Sequence, residues 1–151
     1  MTKLILSLLE LFAQRAQAAW AEFGSQHIWP GLSAAADLSA KQYVVMRFAA
    51  ATTVNIASEV LVTGALKGPI GILQNAPKSG EPATVAYMGL SKAFGGGTVT
   101  AGAPVSYNSS GCVIDAVSGD TVIGRAMETA TTHAEIVTVM LFPPVKWASV
   151  A

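Results

Sequence analysis

Residues 121–142, TVIGRAMETATTHAEIVTVMLF, contain two β-rich runs on either side of a connection that lacks large apolar side chains. In the second run Val137, Val139 and Leu141 occupy alternate positions. This period of two is typical of a strand whose one face enters a core. The stretch therefore predicts two neighbouring strands joined as a hairpin.

The same pattern continues through residues 41–142. The apolar runs are Tyr43–Ala49, Thr53–Ala57, Ile70–Leu73, Ala83–Met88, Leu90–Phe94, Pro104–Tyr107, Val113–Ala116, Thr121–Met127 and Glu135–Phe142. Turn residues fall between many of them, in segments such as Asn75–Gly80, Gly95–Gly97, Asn108–Gly111 and Ser118–Asp120. Many short strands at such spacing predict a mainly β domain, built as a sandwich or a small barrel.

A weak internal repeat is visible when Ile70-Gly71 is aligned with Ile123-Gly124. Val85 then falls near Val139, provided that one residue of slippage is allowed. The likeness indicates either a pseudo-symmetric β domain or two ordinary hairpins that are alike by chance.

The amino-terminal residues 1–24 are predicted to form an amphipathic α-helix, since residues 3–23 contain neither Gly nor Pro. Its apolar seam is Ile5, Leu9, Phe12, Ala16, Ala19 and Phe23. These positions follow a heptad spacing, and Gly24 is suited to the residue just after a helix end. Such a face must be buried, either on the chain's own domain or on partner subunits.

Two further segments flank the predicted β domain of residues 41–142. Residues 25–40 are interpreted as a linker or extended arm, and residues 143–151 as a carboxyl-terminal tail. Pro143 and Pro144 disfavour a central strand there, because proline cannot donate to a ladder.

All three tryptophans lie in these terminal segments, and aromatic residues are enriched at the centres of interfaces. We therefore predict that both termini contact other proteins. The predicted contact residues are Ile5, Leu9, Phe12, Trp20, Phe23, Trp29 and Trp147.

The composition is poor in charge, with 12% charged residues against a typical share of about 25%. This favours a surface partly covered by partners; a neutral surface of Ser, Thr, Gly and Ala is the alternative. The nine basic and nine acidic residues are scattered singly, so no nucleic-acid partner is expected. No run approaches the roughly 20 apolar residues of a membrane span, so no membrane partner is expected either.

No constellation of catalytic or metal-binding residues is found in the sequence. His27 and His133 lack the spacing of metal ligands, and no Lys-Ser or Lys-Thr follows Gly95–Gly97 as a phosphate loop requires. Cys112 is the single cysteine and is interpreted as a small core residue of a protein made in a reducing cytoplasm. The sequence predicts no enzyme, no metal and no cofactor.

The region from about Lys41 to Phe142 resembles a family of small phage capsid decoration proteins, also called cement proteins. The residues that carry the resemblance are Gly71–Leu73, Gly80–Val85, Gly89, Gly102–Val105, Gly111, Val122–Glu128 and Glu135–Val137. The resemblance implies a β-tulip-like domain attached to the outer surface of a capsid, where it clamps neighbouring major capsid subunits. It also implies a homotrimer.

A second hypothesis is a head fibre or virion adhesin, in which the helix serves as anchor and the β domain projects. Exposed aromatic platforms on the β domain would favour this second hypothesis. Tyr43, Phe48, Tyr87, Phe94, Tyr107 and Phe142 are the residues that could build one.

Overall fold

The computed structural model describes residues 27–57 and 68–147, and this part of the chain is built of β-strands. The strands are β1 (His27–Ile28), β2 (Ser33–Ala34), β3 (Val45–Ala50), β4 (Thr53–Ile56), β5 (Pro69–Leu73), β6 (Val85–Phe94), β7 (Pro104–Tyr107), β8 (Val113–Asp115), β9 (Thr121–Ala126) and β10 (Ile136–Lys146). The prediction of a mainly β domain is confirmed. The predicted helix of residues 1–24 lies outside the described residues.

The strands form one sheet in the order β2-β4-β3-β5-β6-β10-β9-β7-β8, and β1 pairs with β6. β2 pairs with β4 in parallel, and the other neighbouring strands pair antiparallel. The sheet is open, so the small barrel, one of the two architectures predicted, is wrong. Its two end strands are short, two residues in β2 and three in β8, and the two do not pair with each other.

Two clusters of buried side chains hold the sheet together. The main core consists of Val45, Ala57, Ile72, Ala86, Ala93, Val99, Val105, Tyr107, Val113, Ile123, Ala126, Ala130, Val137, Val139 and Leu141. The second core consists of Leu32, Ala34, Leu38, Val44, Met46, Val54, Leu73, Ala83 and Val85. Adjacent residues such as Val44 and Val45 enter different cores, as expected for a strand buried on both faces. The alternation predicted for Val137, Val139 and Leu141 is confirmed.

The long strand β6 changes its inward face at Gly89. Ala86 and Ala93 both belong to the main core, although residues seven apart in an uninterrupted strand face opposite sides. Gly89 lies between them with φ +93°, a backbone conformation that glycine adopts without steric penalty. One strand therefore replaces the two predicted runs Ala83–Met88 and Leu90–Phe94.

Gly71 and Gly124, the two glycines aligned by the weak repeat, occupy similar surroundings. A Cβ atom on Gly71 would lie 2.1 Å from the carbonyl oxygen of Ala86 and 2.9 Å from the Val85 side chain. A Cβ atom on Gly124 would lie 2.4 Å from the carbonyl oxygen of Met140 and 2.8 Å from the Val139 side chain. In each of the two pairs, β5 with β6 and β9 with β10, the strands thus approach each other closely at the glycine, which has no side chain.

Residues 27–40 belong to the domain rather than to a linker. Leu32, Ala34 and Leu38 are buried in the second core. The backbone N–H of Ala34 donates to the carbonyl of Glu81 at 2.9 Å, and that of Leu38 donates to Pro77 at 2.9 Å. The arm prediction fails for these residues because long-range backbone pairing, rather than local sequence pattern, holds them in place.

The last strand also extends further than predicted, because β10 continues through Pro143 and Pro144 to Lys146. The ladder with β9 is interrupted between Leu141 and Val145, and the ladder with β6 ends at Leu141. The two prolines fall in this irregular stretch, where no N–H is required from them. Residues 143–146 are therefore strand, and only Trp147 among the described residues follows it.

Candidate contact surfaces

The face of β6 and β10 that points away from the main core carries exposed apolar side chains, interspersed with Lys92, Thr138 and, on the neighbouring β9, Arg125. We call Leu90, Met127, Ile136 and Met140 the outer strip; between 36% and 50% of each side chain is exposed. Met140 pairs with Leu90 on β6. The backbone N–H of Met127 donates to the carbonyl of Thr138 at 2.8 Å, and Thr138 is two residues from Met140 on β10. Four large apolar side chains thus lie on one small area of sheet.

Two cationic side chains lie among the apolar residues of the outer strip. Lys92 pairs with Thr138 and Arg125 pairs with Met140, so both lie at strip positions of their strands. The Lys92 ammonium lies 5.9 Å from the centre of the Tyr43 ring, and an Nη1 atom of Arg125 donates to the carbonyl of Gly102. A partner that covers the strip is therefore expected to combine apolar side chains with negative charge.

A second exposed apolar surface lies at the far end of β10. We call Val117, Val145 and Trp147 the C-terminal tip; Val117 is 65% exposed and Val145 57%. The N–H of Trp147 donates to the carbonyl of Asp120 at 2.8 Å, and the N–H of Gly119 donates back to Trp147 at 2.9 Å. These bonds hold Trp147 against the turn after β8, so a residue predicted as a contact is placed on an exposed, ordered surface.

A polar cavity of about 230 Å³ opens near the C-terminal tip. It is lined by Ser106, Tyr107, Gly119, Asp120, Thr121 and Lys146. The Ser106 hydroxyl is buried and finds no hydrogen-bond partner among the described residues. An apolar patch beside polar groups is the usual composition of a protein interface.

Trp29, the other described tryptophan, packs on its own domain. Its indole Nε1–H donates to the carbonyl of Ile70 at 3.0 Å. Its ring lies 4.9 Å from the ring of Tyr87 and 6.0 Å from that of Phe48. His27 adds an edge contact to Tyr87 at 6.0 Å. The structure thus gathers an aromatic group from residues on β1, β3 and β6 and the turn after β1, and 37% of Trp29 remains exposed.

The remaining predicted contacts, Ile5, Leu9, Phe12, Trp20 and Phe23, lie outside the described residues. Sequence reasoning missed the outer strip and the two valines of the tip. A signal for the strip was present, because in residues 136–142 the even positions are apolar as well as the odd ones, with the exception of Thr138. Such a strand is apolar on both faces and needs cover on each.

Cys112 and the possible metal ligands among the described residues form no reactive or metal-binding cluster. Burial raises the pKa of the Cys112 thiol, although the charge of Lys41 partly opposes that rise. In residues 27–57 and 68–147 no three His, Cys, Asp or Glu side chains lie close enough to share a metal ion. Nor does that part of the chain contain a helix of the length and hydropathy needed to cross a bilayer.

Comparison with known proteins gives a fold relative and a family. No curated protein matches the chain by sequence. Among solved structures, the N base of the head fibre protein gp8.5 of bacteriophage phi29 matches with a TM-score of 0.57. The match covers 80% of this chain and 97% of that chain at 14% identity, and it indicates a shared fold.

The sequence profile of a phage family matches more than half of the chain. Described as phage cement protein, it covers residues 34–141, from β2 into β10. The resemblance predicted from the Gly-punctuated strands is therefore confirmed, and the matched region begins within the segment that was interpreted as a linker. The chain belongs to the phage cement protein family.

Proposed function

We propose that this structural virion protein binds the outer surface of a phage capsid and stabilises contacts between major capsid subunits. Membership of the cement protein family supports the capsid-binding role. The exposed apolar residues of the C-terminal tip support its assignment as the surface that attaches to the capsid. The proposed function consists of binding alone, so it requires no catalytic turnover, metal or cofactor. The proposed partner is the major capsid protein.

The C-terminal tip has the properties of an attachment surface. Trp147 and Val145 are two residues apart on one face of an extended chain, and Val117 precedes the turn that holds Trp147. Burying one large apolar side chain contributes about 1.5 to 3 kcal/mol. Tryptophan at the centre of an interface is among the residues whose truncation weakens binding most.

Self-association is the second part of the proposal. The charge-poor composition and the exposed apolar side chains support a homo-oligomer on the particle, which we propose to be a homotrimer. Sedimentation of the purified protein and its copy number per site on particles test this. Single copies without like neighbours, in solution and on the particle, would refute the trimer.

The competing candidate is a head fibre base. The fold match to the N base of a head fibre protein and the exposed aromatic group around Trp29 favour it. A fibre base would carry projecting material, whereas the first proposal has the domain itself contact neighbouring capsid subunits. Images of particles separate the two by the height of the density above the shell.

A matched pair of tryptophans provides the binding experiment, because Trp29 and Trp147 are 37% and 38% exposed. Heads purified from phage that lack this chain are titrated with Trp147→Ala and with Trp29→Ala. Trp147→Ala should bind roughly 30-fold more weakly, which corresponds to about 2 kcal/mol.

Trp29→Ala is the control, because the indole is bound to Ile70, Tyr87 and Phe48 of its own domain. It should lower the free energy of unfolding and leave the affinity of the folded protein unchanged. Unchanged affinity of Trp147→Ala would refute the tip as the attachment surface.

A further inference from the structure

The polar cavity beside the C-terminal tip is built by three neighbouring strands and the turn before β9. Lys146 of β10 pairs with Thr121 of β9, and Ser106 lies on β7, the next strand of the sheet. Ser106 is two residues from Pro104, which pairs with Arg125 of β9. Thr121 is four residues from Arg125, and residues an even number apart on a strand face one side. The side chains of Ser106, Thr121 and Lys146 therefore lie on the same face of the sheet.

The innermost polar group of the cavity is a buried hydroxyl. Ser106 is 1% exposed, and its Oγ atom finds no hydrogen-bond partner among the described residues. Buried polar groups in proteins are nearly always hydrogen-bonded, so a hydroxyl of this kind is expected to have a partner that comes from outside the domain. A polar group that enters the cavity would provide it.

A positive charge lies at the mouth of the same cavity. Lys146 is exposed, and no carboxylate within residues 27–57 and 68–147 forms an ion pair with its ammonium group. The neighbouring carboxylate of Asp120 is bound in its own turn, because its Oδ2 atom accepts from the backbone N–H of Val117 at 2.9 Å. The cavity thus offers an ammonium and the hydroxyls of Ser106 and Thr121, which together suit an anionic acceptor such as a carboxylate.

The cavity has the size of a side chain and adjoins the C-terminal tip. Its volume of about 230 Å³ accommodates several water molecules, each of which takes up about 30 Å³. Gly119 and Asp120 line it, and both form backbone hydrogen bonds with Trp147. A partner that covers the tip therefore also reaches the cavity. It would remove Lys146 and Ser106 from water, which is unfavourable unless the partner supplies an acceptor.

We propose that the cavity receives the carboxylate of an Asp or Glu side chain from the protein that covers the C-terminal tip. Lys146 forms the ion pair at the mouth, and Ser106 and Thr121 donate hydrogen bonds from their hydroxyls. This inference rests on the proposed attachment through the tip. It specifies the partner further, as an apolar surface with an acidic side chain beside it.

Titration of heads that lack this chain tests the cavity separately from the tip. Lys146→Gln should weaken binding roughly 30-fold, because the acidic side chain of the partner is then left unpaired and out of water. Ser106→Ala should weaken binding roughly tenfold, since it removes a hydrogen bond to a charged group. In the isolated protein Ser106→Ala should leave the urea midpoint unchanged or raise it, because this hydroxyl has no partner among the described residues.

Lys78→Gln is the matched control. Lys78 is exposed between β5 and β6, so its replacement changes the net charge equally without altering the cavity. Its affinity for heads should stay close to that of the wild type. Equal affinities of Lys146→Gln and Lys78→Gln would overturn the inference. Tighter binding of Lys146→Gln would overturn it too, because it would indicate a cation beside Asp120.

The titration of Trp147→Ala distinguishes the two ways to fail. If Trp147→Ala binds weakly while Lys146→Gln and Ser106→Ala bind like the wild type, the attachment through the tip stands and the cavity assignment is wrong. If Trp147→Ala also binds like the wild type, the proposed attachment through the tip is wrong, and the inference about the cavity falls with it.

Carbodiimide cross-linking of decorated particles identifies the occupant of the cavity directly. The reagent joins a carboxylate to a contacting amine through an amide bond. Mass spectrometry of the digested particles should therefore find Lys146 joined to an Asp or Glu of the partner protein. Lys146→Arg keeps the charge and should still bind, but its guanidinium should give no such product. Cross-links from Lys146 that reach only acidic residues of its own chain, or no cross-link from Lys146 on decorated particles, would overturn the inference.

Discussion

Replacing Gly124 by alanine tests the close approach of β9 and β10. The added Cβ would lie 2.4 Å from the Met140 carbonyl oxygen and 2.8 Å from a methyl group of Val139. An ordinary contact needs about 3.4 Å or more, so the two strands must separate by roughly 1 Å. Overpacking of this kind costs typically 1 to 3 kcal/mol. Because one of the clashing atoms is backbone that pairs with β9, we expect about 3 kcal/mol.

Urea unfolding followed by tryptophan fluorescence measures the effect. With an m-value of about 2 kcal/mol/M, the midpoint for Gly124→Ala should fall by roughly 1.5 M. Gly68→Ala is the control, because a Cβ there meets nothing within 4 Å and the φ angle is not positive. It should leave stability unchanged or raise it by about 0.4 to 1 kcal/mol. Equal midpoints for the two variants would refute the reasoning.

Three further predictions concern other parts of the domain. Leu38→Ala should lower the free energy of unfolding by about 3 kcal/mol, because Leu38 is 1% exposed; an unchanged urea midpoint would restore the linker interpretation. Hydrogen bonds from the backbone N–H groups of Thr131 and Thr132 lower the pKa of Glu135. The ionised Glu135 carboxylate therefore stabilises the fold above the ordinary carboxyl pKa, and this stabilisation is lost as pH falls through the lowered pKa. Between about pH 5 and pH 2 the urea midpoint of Glu135→Gln should therefore depend less on pH than that of the wild type, and parallel pH curves would contradict this. Burial raises the pKa of the Cys112 thiol, so a thiol reagent at pH 8 should react slowly with the native protein and fast in urea; equal rates would contradict the burial.

Much of the strand pattern could be predicted from local sequence. Pro104–Tyr107 matches β7 in full, and the alternation of Val137, Val139 and Leu141 identified the inward face of β10 correctly. These strands carry their signal in their own residues. The two-residue strands β1 and β2 carry none, since they exist through pairing with β6 and β4.

The contact surfaces were harder to predict for a physical reason. Ile136 and Met140 are as apolar as the core residues between them, and sequence alone does not say which face of such a strand meets the core. Trp29 and Trp147 both lie in terminal segments, so both were predicted to contact other proteins. In the structure the Trp29 indole donates to the carbonyl of Ile70, whereas Trp147 lies at the tip; a partner contact at either tryptophan stays a prediction.

We propose that this member of the phage cement protein family attaches to the outside of the capsid through its C-terminal tip. Electron cryomicroscopy of purified particles, with and without this chain, tests it most directly. We expect additional density on the outer surface that touches major capsid subunits, with Val117, Val145 and Trp147 at the contact. Density inside the shell, or an outer density whose C-terminal tip points into solvent, would contradict it.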